Sequence, residues 1–80
     1  MDTNEIMNKI YSAFENAEIY VNRDMQDLME AKDYIVDSFQ FIQLIVQLEQ
    51  EFHIEISDDL LLFENFETFD KIYNLVSGLI

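Results

Sequence analysis

The chain has 80 residues, with 17 Asp plus Glu against 4 Lys plus Arg, a formal net charge of -13 and no cysteine. Such a charge disfavours binding to phosphate backbones or anionic membrane surfaces, and it speeds encounter with partners that present a basic face. Half of the residues are hydrophobic and 14% are aromatic, too apolar for a disordered acidic tail, and the length suits one small domain, residues 1–80, that buries roughly 60% of its unfolded surface.

A single glycine, Gly78, and no proline leave the turns to Asn, Asp and Ser, which argues against a fold of tight β-hairpins. Thr3 is a candidate N-cap, Glu5 suits the first turn, and Ile6, Ile10 and Phe14 recur every four residues, so a first helix is expected from about Asn4 to Asn16. The stretch from Ala17 to Asp37 reads as a long loop. Within it, Ile19-Tyr20-Val21 is too short and isolated for a sheet, Asp24 to Met29 suits a helical turn, and Leu28 and Ile35 look like anchors onto a core. From Ser38, the residues Phe41, Leu44, Ile45, Leu48 and Phe52 follow the spacing of one helical face, and His53 and Ile54 end the helix. Ser57 is the expected N-cap of a short helix through Leu61. Thr68 is the expected cap of a last helix whose buried stripe is Phe69, Ile72, Tyr73, Val76 and Leu79. The expected fold is all-α: a small four-helix bundle, three longer helices plus one short, with a long loop between the first and second long helices.

Catalytic chemistry has little to work with. His53 is the only histidine and sits past a helix end; HExxH, CxxC, a Gly-rich phosphate loop and the EF-hand pattern are all missing. Asp58-Asp59 resembles a calcium site only in charge. No catalytic residue, no metal and no enzymatic activity are therefore expected. The first residues show no signal-peptide pattern, and the near-apolar run Phe39 to Leu48 is broken by Gln40, Gln43 and Gln47 and is too short to span a bilayer. A cytoplasmic monomer that binds no nucleic acid is the expectation.

One segment does not read as ordinary surface. Tyr34 to Phe39 leads out of the long loop into the most apolar helix. On spacing alone, Asp37 or Ser38 caps that helix, and this is the plainer reading. The other is that Ser38 carries an exposed hydroxyl beside the positive helix end, where an attached phosphodiester would be favoured.

Asp37-Ser38-Phe39, the helix ending Leu48-Glu49-Gln50-Glu51-Phe52 and the following Ile54-Glu55-Ile56 resemble the acyl carrier protein superfamily. Asp27-Leu28-Met29-Glu30 upstream and Phe66 to Ile72 downstream extend the resemblance over about Met25 to Val76. The resemblance implies a carrier rather than a catalyst. Ser38 would be modified with 4'-phosphopantetheine by a phosphopantetheinyl transferase using coenzyme A, and Asp37 would help that transferase recognise the site. The arm would carry acyl or aminoacyl groups as thioesters between a loading enzyme and downstream enzymes of a pathway such as polyketide or nonribosomal peptide synthesis. It also implies a partner-facing strip on the helix after Ser38, formed by Phe39, Gln40, Ile42, Gln43, Val46 and Gln47. Exposure is expected for Phe39 and Val46, while Ile42 could equally widen the buried face.

Some residues depart from the family pattern. Gln40, Gln43 and Gln47 stand on the face where fatty-acid carriers usually place acids, the glycine common before Asp-Ser is absent, and Ser57 replaces a frequent proline. The first of these departures argues against a housekeeping fatty-acid carrier. The Asp37-Ser38-Phe39 form points toward a free-standing carrier of a secondary pathway or toward a D-alanyl carrier of cell-wall modification. An unmodified helical adaptor of the same fold is the alternative from a different class.

Overall fold

A computed structural model describes residues 2–22 and 30–80, and the described part is helical, with no strand among the described residues. The order is α1 (Thr3–Asn16), α2 (Ala31–Tyr34), α3 (Ser38–Phe52), two 3-10 turns (Asp58–Leu60 and Phe63–Phe66) and α4 (Phe69–Ser77). It is a small helical bundle with three longer helices. The short fourth α-helix is not where the sequence suggested. The segment after Ser57 is too brief to close an α-helical turn and forms a 3-10 turn instead, whereas α2 lies inside the expected loop. The turn expected over Asp24 to Met29 and the anchor at Leu28 lie outside the described residues.

Each long helix starts on a side-chain cap, which satisfies one of the N–H groups that have no intrahelical acceptor. The cap of α1 is Asp2, not Thr3: its Oδ1 accepts from the Glu5 N–H at 2.8 Å, and Thr3 is already helical. Thr68 caps α4 as expected, with Oγ1 accepting from the Lys71 N–H at 3.0 Å. Ser57 stands at the N-cap position of its turn, but its side chain makes no cap hydrogen bond.

The helix ends hold a further difference. Both α1 and α3 close on a residue in the left-handed region, Glu18 (φ 62°) and His53 (φ 54°). In each case the next residue, an isoleucine, reaches back five positions: Ile19 N–H to the Phe14 carbonyl at 2.8 Å and Ile54 N–H to the Glu49 carbonyl at 3.1 Å. This is the Schellman pattern, and the apolar side chain that follows the left-handed residue packs back on the helix. Ile19 is accordingly buried and Ile54 half-buried. The only glycine, Gly78, keeps a negative φ, and among the described residues positive φ is borne by Glu18 and His53.

The core is continuous. Ile6, Ile10 and Phe14 of α1 meet Leu44, Ile45, Leu48 and Phe52 of α3, and Phe66, Phe69, Ile72 and Val76 close the third side. Phe69 is an aromatic hub, with ring centroids 5.5 Å from Tyr11, 5.4 Å from Phe14 and 6.3 Å from Tyr34. Ile35 is a core anchor as expected. Leu79, placed on the α4 stripe by spacing, lies past the helix end and is exposed; Tyr73 is only half-buried. The loop before α3 is tied down by the Lys32 N–H, which donates to the Glu67 carbonyl at 2.9 Å. That bond and Ile35 fix where the chain enters α3.

Candidate functional site

Of the two candidates for the cap of α3, the structure uses Asp37 and not Ser38. Asp37 is the N-cap of α3, and its Oδ1 accepts from the Gln40 N–H at 2.8 Å. Gln40 answers by folding back, its Oε1 accepting from the Val36 N–H at 2.9 Å. The pair is a near relative of the capping box, in which the residue at the third helical position reaches back to the N-terminal side. With the cap taken, the Ser38 hydroxyl is exposed and makes no hydrogen bond among the described residues. The first intrahelical bond is made by the Phe41 N–H, to Asp37. The Ser38 and Phe39 N–H groups therefore have no intrahelical acceptor and add to the positive end of a 15-residue helix.

Ser38 also lies on the edge of a pocket of about 330 Å³, lined by Ile35, Val36, Asp37, Ser38, Phe41 and Phe63. The Phe41 ring packs edge-on against Phe63, centroids 5.7 Å apart, and against Phe66 at 5.2 Å. Val36 and Phe63 were not singled out from the sequence, yet they are 76% and 44% exposed beside the serine. A signal was present for Phe63: it ends the apolar run Leu60-Leu61-Leu62-Phe63, which a short turn cannot bury whole. Val36 carried none, since one β-branched residue in a loop is ordinary.

Along α3 the strip separates into two kinds of residue. Phe39, Ile42 and Val46 are 69%, 58% and 37% exposed, so Ile42 does not widen the buried face. Gln43 and Gln47 are half-buried, not fully exposed, and Gln43 joins Phe39, Asn16, Ala17 and Glu18 around a small crevice of about 200 Å³. Gln40 is occupied in the cap. The two acids left on this helix are also engaged: Glu49 Oε2 accepts from the Ile56 N–H at 2.9 Å, and Glu51 Oε1 from Asn16 Nδ2 at 3.4 Å.

The geometry offers an attachable hydroxyl with anion-favouring N–H groups on one side and an apolar wall on the other. It fits a phosphodiester followed by an apolar chain. No group of three or more potential metal ligands occurs among the described residues, and no described helix is long and apolar enough to cross a membrane. Residues 31–76 match the family model described as the phosphopantetheine attachment site. No curated protein and no solved structure matches the chain.

Proposed function

The chain belongs to the phosphopantetheine-attachment family, in which 4'-phosphopantetheine is held covalently, and on that basis we propose that Ser38 is its attachment residue. The protein would then be a carrier of acyl or aminoacyl groups for the enzymes of a biosynthetic pathway. The observation that carries this reading is the free, exposed Ser38 hydroxyl on the first residue of α3, inside the matched segment, with the preceding aspartate already spent on the cap.

When bound, the arm supplies the thiol that this cysteine-free chain lacks, and hence the thioester. The chain's own residues do simpler things. Asp37 and Gln40 hold the helix start, so the hydroxyl is presented rather than folded into a cap. The Ser38 and Phe39 N–H groups offset the charge of a phosphodiester at the serine. Carriage fits better than catalysis, because no histidine lines the Ser38 pocket and the Asp37 carboxylate is committed to Gln40. Phe39, Ile42 and Val46, flanked by Gln43 and Gln47, are the contact strip for a phosphopantetheinyl transferase, a loading enzyme and downstream enzymes, and the chain acts as one monomeric carrier domain.

Intact mass tests the reading. Incubation with coenzyme A, magnesium and a promiscuous phosphopantetheinyl transferase should add one phosphopantetheine to the protein and nothing to Ser38→Ala. A wild-type mass that stays unchanged, also on coexpression with the source organism's own transferase, would leave the unmodified adaptor as the better reading.

A further inference from the structure

We propose that the pocket beside Ser38 seats the branched, first segment of the arm, the gem-dimethyl unit, against Phe41 and Phe63; this rests on the carrier reading above. Ser38 and Asp37 form one edge of the pocket, and its remaining walls are Ile35, Val36, Phe41 and Phe63, all apolar. The aromatic wall is braced, because Phe41 is held edge-on by Phe63 on one side and by the fully buried Phe66 on the other. Nothing among the described residues covers its rim, where Val36 and Phe63 remain exposed.

The chemistry of 4'-phosphopantetheine matches that layout in order. From the serine oxygen come a phosphate, one methylene and then a quaternary carbon with two methyl groups, before the first amide. The anionic part falls at the helix end and the only branched apolar part falls within a few bonds of Ser38, where the apolar walls are. The far end of the arm, with whatever acyl group it bears, is not needed to fill this pocket. Behind Phe41 lies the fully buried ring of Phe66. At about 330 Å³ the pocket lies at the small end of ligand sites. Burying two methyl groups biases the arm toward the docked position by roughly tenfold.

The test uses protein carrying an arm with isotopically labelled gem-dimethyl groups, with attachment to Ser38 checked first by mass. Failure to attach would count against the carrier reading, and it is thereby separated from failure to dock. The docked arm should show methyl proton resonances displaced upfield by the two rings relative to coenzyme A, with nuclear Overhauser effects to Phe41 and Phe63. Phe63→Ala, and separately Val36→Asp, should return them toward the coenzyme A positions while circular dichroism is unchanged. Methyl resonances at the coenzyme A positions in the wild type, without contacts to either ring, would overturn the proposal. So would displaced resonances that neither substitution moves.

Discussion

An N-cap aspartate gives its carboxylate to the N–H two or three residues on, and Asp37 does this for Gln40. The consequence falls on its neighbour: a serine that followed a poorer cap would be drawn into capping itself, and its hydroxyl would be turned toward the backbone. Asp37 therefore has a structural duty besides any role in recognition, and two substitutions separate the duties. Asparagine caps about as well as aspartate, so Asp37→Asn should unfold at nearly the wild-type urea midpoint. Asp37→Ala should lose about 1 kcal/mol. If the transferase reads the carboxylate itself, both variants are modified slowly. If it reads only the presented serine, Asp37→Asn is modified at the wild-type rate and Asp37→Ala is not.

At the scale of elements, α3 carries two stripes; spacing marks the buried one, and the family resemblance implied exposure for Phe39 and Val46 while Ile42 was left open. Leu44, Ile45, Leu48 and Phe52 face α1 and are buried, while Phe39, Ile42 and Val46 lie on a different face and are exposed. Leu48→Ala should cost about 2–5 kcal/mol, since its side chain is fully buried and the close-packed surroundings cannot collapse onto the void. Val46→Asp should keep the helical circular dichroism and the melting temperature within a few degrees, yet slow acyl transfer with partner enzymes. Unfolding by Val46→Asp, or wild-type stability in Leu48→Ala, would show the helix to be rotated from this assignment. The buried stripe of α3, the Thr68 cap and the start of α3 were legible because periodicity and N-cap chemistry are local, whereas the exposure of Ile42 was not decided by spacing. What was not legible depends on tertiary contacts or on competition between adjacent residues. Asp2 and Thr3 are both good caps, and nothing in the sequence says which one the helix will use. Gln40 looked like a surface residue because its partner, the Val36 N–H, belongs to a loop whose path the sequence does not give. Glu49 entered only as part of the family-like helix ending, yet its carbonyl accepts from the Ile54 N–H and its carboxylate from the Ile56 N–H, which fixes how the chain leaves α3. Phe63 reaches the serine only because the second 3-10 turn folds back against Phe41.

For the whole molecule the governing quantity is charge against size. The fold measures 29 × 28 × 20 Å and carries a formal net charge of -13. Its described cations offset little of this: Lys32 pairs with Glu30 at 3.6 Å, Lys71 donates to the Glu64 carbonyl, and Lys9 lies 5.8 Å from the Phe52 ring centroid. At an ionic strength of about 0.01 M the Debye length, roughly 30 Å, spans the molecule, so nearly every pair of carboxylates repels; at about 0.15 M it is near 8 Å and only neighbours do. The unfolded chain holds its charges farther apart, so screening relieves the folded state more. The melting temperature should therefore rise over this range. A gain of about 1 kcal/mol would appear as roughly 4–8 °C in a domain of this size. Choline chloride should act like sodium chloride at equal ionic strength, since screening needs no cation site. A flat response would show the charges to be too dispersed to matter, and a rise with sodium alone would point to a specific site. The same screening would weaken the attraction between this net negative charge and any partner with a basic face, so the association rate with such a partner should fall as stability rises. Stopped-flow association and thermal melts over one salt series would show the two trends in opposite directions if a single field governs both.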